Sequence, residues 1–406
     1  MKSDVRVRVF HQIDPGGAVT GGIDSVIRGI AKWAPNDIRI DIVGLTMDPV
    51  ARPVGRWTTV QIGDKAVRFY AVGRHNTPMH RSAMPLSVRL TVGILRHWHD
   101  VTQACDVLEF HRIEPTLPFV FDSRHKNAFV HQNMEALYNP KSDIGWKRLP
   151  WLYFALERLV MPRLQSVFGV RQDAIAAYKE RYPAIAGRFQ FIPTWMDPEL
   201  FRPATSGDRD ALRRQLLAQF DFPQDAFVVI SVGRLDNQKN PMLAMATMAR
   251  LVALRPNAYL VWIGDGTLRE SVQTEIERLE LGGHVVLAGL KTPVDIARAL
   301  QAADVFLMTS AYEGMPISVL EALACGLAIV STNVGELPQI VKEGVNGFLV
   351  GNVDADKLAA ALDAVCITGP ASFRPAALDS VSPYVPAKVL TPVFSQYRVA
   401  AERPRP

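Results

Sequence analysis

Several things are scarce in this sequence, and each scarcity excludes something. Cysteine occurs three times, at Cys105, Cys325 and Cys366, widely spaced and with no C-x-x-C pair. That usage excludes a disulfide framework and a cysteine metal site, and it suits thiols in a reducing compartment. No run approaches the ~18–20 apolar residues of a membrane span, and residues 1–6 lack a secretory apolar core, so a cytoplasmic protein is expected. There is no dense basic tract and no nucleic-acid-binding module, so no nucleic-acid partner is expected. A repeat of fixed period is missing too, which excludes a solenoid.

What is present is ordinary in amount and informative in place. At 406 residues, 48% hydrophobic and 21% charged, the chain suits two globular domains. The net charge of +5 and pI near 9.1 fit a phosphate-rich substrate or an anionic membrane surface. Residues 74–99 hold four arginines, four histidines and no acid. Residues 141–163 interleave five basic side chains with Trp146, Trp151, Tyr153 and Phe154. Such a helix suits either an interfacial membrane contact or a core position with its aromatics packed inward.

Apolar runs alternating with helical periodicity predict a doubly wound α/β chain in both halves. In the first half, strands are expected at 5–10, 38–44, 66–72, 107–110, 128–131, 166–170 and 190–193. In the second half they are expected at 227–232, 259–263, 284–288, 305–308, 327–331 and 347–350, near-continuous Val/Ile/Leu runs typical of a parallel sheet covered on both faces. Three prolines within residues 193–203 mark a stiff boundary, which gives domains of 1–193 and 205–375, a linker at 194–204 and a tail at 376–406.

The stretch that organises the chain is 307–326, LMTSAYEGMPISVLEALACG, where a buried strand, a turn-rich loop and a helix start meet. In an open α/β sheet that junction lies at the carboxyl edge, where backbone N–H groups and the helix dipole hold anions. Glu313 and Glu321 stand eight residues apart, two helical turns, and carboxylates accept from sugar and ribose hydroxyls. After the strand at 227–232 comes SVGRLDNQKN, whose Arg234 and Lys239 bring two cations to the same edge. Paired cations there stabilise a departing diphosphate without a metal ion. Gly264, in the next strand's Ile-Gly-Asp-Gly turn, permits a close approach to a ligand, and Asp265 is expected to cap the following helix. In the first half, Gly21 and Gly22 precede a helix near a phosphate or sugar, and His131 ends a strand where ligands bind. His131 is either a structural histidine or a partner for a sugar hydroxyl, with His111 a second candidate.

These motifs resemble the E-x7-E signature of retaining GT-B glycosyltransferases, in particular family four. The resemblance rests on Glu313 and Glu321, on Gly-Arg-Leu-x-x-x-Lys-Asn at 233–240, and on an interdomain segment in which Thr194 and Trp195 replace the usual Asn-Gly. It implies a GT-B fold, two Rossmann-like domains facing across a cleft, and transfer of a hexose from a nucleotide-diphosphate sugar of GDP or UDP type with anomeric retention and no metal. It also implies residue roles. Glu321 would take ribose hydroxyls, Glu313 the donor sugar with help from Gly314, Met315, Pro316 and Ile317, Arg234 and Lys239 the diphosphate, and His131 the transferred sugar. The acceptor would be a saccharide or a polyprenyl-diphosphate-linked sugar in cell-surface polysaccharide or glycolipid synthesis, reached by peripheral contact with the inner face of the cytoplasmic membrane. A nucleotide-sugar epimerase and a non-catalytic nucleotide-sugar binder are the alternatives. The epimerase should carry further acid/base groups, and the binder should lack His131 or Glu313.

Overall fold

A computed structural model describes residues 4–17, 22–76, 84–131, 150–351 and 353–402. The chain forms two compact units, one of residues 1–193 with 389–406 and one of residues 194–388.

Among the described residues of the first unit, eight strands lie in the order β3-β4-β2-β1-β5-β6-β7-β8. They are β1 (Val5–Phe10), β2 (Ile38–Thr46), β3 (Trp57–Ile62), β4 (Lys65–Arg74), β5 (Val107–Phe110), β6 (His125–Val130), β7 (Ser166–Gly169) and β8 (Phe189–Phe191). All neighbours pair in parallel except β3, which runs antiparallel to β4 at the sheet edge. Helix Gly22–Trp33 turns Val26, Ile27, Ile30 and Ala31 inward, the helical spacing that its sequence predicts. The chain returns to this unit through Thr391–Glu402, a helix that buries Val393, Phe394 and Tyr397 and packs against β1 and β5.

The second unit is a parallel sheet in the order β11-β10-β9-β12-β13-β14. Its strands are β9 (Phe227–Val232), β10 (Ala258–Ile263), β11 (Val285–Gly289), β12 (Val305–Met308), β13 (Ala328–Thr332) and β14 (Gly347–Val350). Alternate residues feed two separate cores, Val228, Ile230 and Phe306 on one face and Val229, Leu260 and Leu307 on the other. This is the packing expected where helices cover both faces. Thr205, Thr292 and Asp354 accept the N–H groups of Asp208, Asp295 and Lys357, respectively, in the first turns of three of those helices. Such caps contribute about 1 kcal/mol each.

Three features differ from the sequence reading. β3 and the helix Ser206–Gln219 have no counterpart in it. Residues 194–204 do not stand apart from the second unit, because Met196 and Phe201 are buried in its core. The tail expected to start at 376 begins inside a helix, Arg374–Val381, whose Ala377 and Val381 are buried in the second unit's core.

Candidate functional site

All strands of the second sheet run parallel, so the loops that leave β9, β10, β12 and β13 gather at one carboxyl edge. The loop after β9 is pinned from several directions. Thr309 Oγ1 donates to the carbonyls of Lys239 and Asn240, each at 3.0 Å, and the Ala311 N–H donates to the Gln238 carbonyl at 2.8 Å. Trp262 Nε1 donates to the Gly233 carbonyl at 2.9 Å. The loop after β12 is held as firmly. Thr332 Oγ1 donates to the Ser310 carbonyl at 2.7 Å, the Glu336 N–H to the Gly314 carbonyl at 3.0 Å, and Thr194 Oγ1 to the Met315 carbonyl at 3.0 Å.

With both backbones fixed, Lys239 Nζ meets Glu313 Oε1 at 2.6 Å. Both side chains are largely buried, so neither water nor salt screens this pair as it would a surface one. Gln238 Nε2 reaches Glu313 Oε2 at 3.4 Å and the Tyr312 carbonyl at 3.3 Å. Arg234 stands at the same loop but is two-thirds exposed, pairing with Asp236 at 2.9 Å. Residues 239 and 313 are thus brought into contact, with the Arg234 guanidinium close by through Gln238 at 3.4 Å.

Glu321 lies on the helix Ile317–Ala324, which begins right after Pro316. The first N–H groups of that helix have no intrahelical acceptor, as at any helix start. Burial, and secondarily the charge of Asp197, push the Glu321 carboxyl up from its ordinary 4.5 to about 8. Asp197 is absent from the sequence reading; its place in the boundary segment Pro-Thr-Trp-Met-Asp-Pro was a signal of proximity only in hindsight of the fold.

Gly264 has φ +139°, and a Cβ there would sit 2.0 Å from the Gly233 carbonyl, so its lack of a side chain is already demanded by loop packing. Gly335, at φ +57°, faces the Gly314 carbonyl in the same way. Asp265 does not cap a helix: the helix begins at Arg269 with Leu268 before it, and Asp265 Oδ1 instead accepts the N–H of Gly266 at 2.8 Å. Its other oxygen lies 3.8 Å from the Arg269 guanidinium, a side-chain contact and not a backbone cap.

In the first unit, Gly22 opens its helix with no atom of the described residues within 4 Å of where a Cβ would stand, and Gly21 lies outside the described residues. The loop before it is organised by two arginines that sequence reading passed over. Arg28 donates to the carbonyls of Asp14, Pro15 and Gly17, and Arg52 pairs with Asp14 at 2.7 Å. His131 follows β6 directly. His111 Nδ1 lies 2.9 Å from His131 Nε2, and the two rings stack. Burial, then the charges of His111 and Arg112, hold the His131 imidazole well below the usual histidine range, so it is neutral near pH 7. Of the basic aromatic stretch, residues 141–149 lie outside the described residues; in Pro150–Val160, Tyr153 is buried and Trp151 is exposed. No helix among the described residues is long and apolar enough to cross a membrane.

Comparison with known proteins bears on this geometry. Residues 213–371 match the family described as Glycosyl transferases group 1. The chain is 34% identical over 370 residues to a D-inositol 3-phosphate glycosyltransferase of Geodermatophilus obscurus, a match covering 86% of this chain and 79% of that one. It is 34% identical over 180 residues to the UDP-Gal:alpha-D-GlcNAc-diphosphoundecaprenol alpha-1,3-galactosyltransferase of Escherichia coli, covering 43% of this chain and 44% of the relative. Matches of that local kind thus span less than half the length of the relative. Among solved structures, Anabaena Alr3699/HepE in complex with UDP and glucose has the same fold, with a TM-score of 0.69 at 18% identity over 98% of this chain and 99% of that one.

Proposed function

Since the chain belongs to the glycosyl transferases group 1 family, we propose that it moves a hexose from a nucleotide-diphosphate sugar to a saccharide or lipid-linked acceptor with retention at the anomeric carbon. The observation that carries this reading is the Lys239–Glu313 contact at 2.6 Å, a cation and a carboxylate brought together by two loops at the carboxyl edge of a parallel sheet. A diphosphate needs the cation, and a sugar hydroxyl needs the carboxylate.

In this reading Lys239 and Arg234 take the charge that builds on the diphosphate as the glycosidic bond breaks, and no metal is called on. Glu313 holds the donor sugar beside residues 314–317, and Glu321 accepts from the ribose hydroxyls. His131 contacts the transferred sugar. A phosphate oxygen of the leaving group takes the acceptor's proton on the face it vacates, so the new bond keeps the old configuration. The E. coli relative uses a UDP-sugar and a diphosphoundecaprenol-linked acceptor by name, and the HepE structure holds UDP and glucose. A Corynebacterium glutamicum relative is named for GDP-mannose instead, so both donor types occur among the relatives, and the E. coli name supports a polyprenyl-diphosphate-linked acceptor.

Incubation with UDP-glucose, UDP-galactose or GDP-mannose tests the reading. One donor should release its nucleoside diphosphate and yield a product whose anomeric proton coupling matches the donor's. Lys239→Ala should lower kcat/KM about 10²–10³-fold, the loss typical when a group that stabilises transition-state charge is removed. An isomerised donor, an inverted product, or full activity in that variant contradicts the proposal.

A further inference from the structure

A line of buried polar groups crosses the face of the first sheet beneath the helix Thr391–Glu402. Tyr397 donates its O–H to Glu109 Oε2, and Glu109 Oε1 lies 3.1 Å from His111 Nε2. His111 Nδ1 in turn lies 2.9 Å from His131 Nε2. Glu109 and Tyr397 are both wholly buried, and His111 is 3% exposed. A carboxylate with no access to water must be met by donors, because leaving it unmatched is costly. Tyr397 and His111 are those donors.

The direction of each hydrogen bond follows from the first. A carboxylate only accepts, so His111 carries its proton on Nε2. When the ring is neutral, that leaves its Nδ1 bare, and Nδ1 accepts. His131 must therefore donate from Nε2, and its own Nδ1 is left without a proton. The stacked rings of His111, Phe129 and His131 hold the imidazole planes in this alignment. We infer that Glu109, clamped by Tyr397, is a positioning residue that fixes His131 in the Nε2–H tautomer, so that its Nδ1 accepts from a hydroxyl of the transferred sugar. The sugar contact rests on the function proposed above; the tautomer does not.

Long-range proton–nitrogen spectra of protein labelled with ¹⁵N-histidine at pH 8, where imidazole is ordinarily neutral, read each tautomer directly. Single His111→Asn and His131→Asn variants assign the signals. In the unaltered protein, both His111 and His131 should be protonated at Nε2 and bare at Nδ1; a proton on His131 Nδ1 would overturn the inference without any variant having to fold. In Glu109→Gln, Tyr397 keeps the amide oxygen and the amide nitrogen faces His111, so both rings should exchange to the Nδ1–H form. Retention of the original tautomers there also overturns it. Tyr397→Phe leaves the carboxylate in place and should leave both tautomers unchanged, and exchange in this variant would take the control away from Glu109. Turnover separates the two readings. Glu109→Gln should lose about tenfold in kcat with little change in donor KM. Full activity in His131→Ala would defeat the sugar contact while the tautomer pattern stood.

Discussion

Glu321 carries the residue-scale consequence that is easiest to measure. Its carboxyl is raised in the folded protein to about 8, mainly by burial and then by Asp197. A raised carboxyl binds its proton more tightly folded than unfolded, so the stability tied to that proton is full below the ordinary value of 4.5 and is lost as pH rises through about 8. Glu321→Gln, which is never ionised, should melt a few degrees above the natural protein at pH 9 and alongside it near pH 4; parallel melting curves across that range would refute the burial argument. Nucleotide binding should run the other way. An ionised carboxylate accepts from two ribose hydroxyls, so affinity should rise towards pH 8 in the natural protein and stay flat in Glu321→Gln. The sequence made Glu313, Glu321 and Lys239 legible because their spacing around a strand–loop–helix junction is local. It did not reveal Asp197 beside Glu321 or the Tyr397–Glu109 contact, since those neighbours come from chain segments that only the fold joins.

At the scale of elements, the site depends on glycines that let loops touch. A Cβ at Gly335 would stand 2.1 Å from the Gly314 carbonyl, at a φ of +57° that side chains rarely adopt. Gly335→Ala should cost about 2–4 kcal/mol in urea unfolding, through strain and the displaced loop, and should weaken donor binding as 313–316 shifts. Gly22→Ala is the contrasting case, a helical site where no atom of the described residues stands within 4 Å of the Cβ; it should lie within about 0.5 kcal/mol of neutral or be stabilising. Equal effects at the two positions would mean that the loop contact carries no strain. Strands such as Phe227–Val232 were readable because they are apolar throughout, as a buried parallel strand is. β3 was not, because it is a short edge strand in which only Thr59 to Ile62 alternate between exposed and buried. The helix Ser206–Gln219 was hidden by its charge, since only Leu216 and Leu217 of its residues are buried. The tail expected at 376–406 ends in a helix whose first turn holds Pro392, where a missing N–H costs nothing.

At the scale of the whole molecule, the two units hold different parts of the candidate machinery. The chain's last helix belongs to the first unit, where it covers β1 and β5 and supplies the Tyr397 hydroxyl to Glu109. Ending the chain after Lys388 would uncover apolar surface under Val393, Phe394 and Tyr397 and strip a donor from a buried carboxylate. The loss should be on the order of 5 kcal/mol or more, at about 1.5–3 kcal/mol for each large side chain. Guanidinium unfolding should then resolve into two steps, the first unit melting early and the second unchanged. A single unshifted transition would show that the helix adds nothing to its sheet.

The central claim is that the carboxyl edge of the second sheet holds a nucleoside diphosphate through residues 239, 313 and 321. Calorimetric titration of UDP and of GDP into the natural protein and into Lys239→Ala tests it most directly. We predict saturable binding of one nucleotide, weakened at least about tenfold in the variant, where the diphosphate loses its cation and meets a Glu313 carboxylate without its lysine. Equal affinity in the two proteins, or no binding of either nucleotide, would contradict the account.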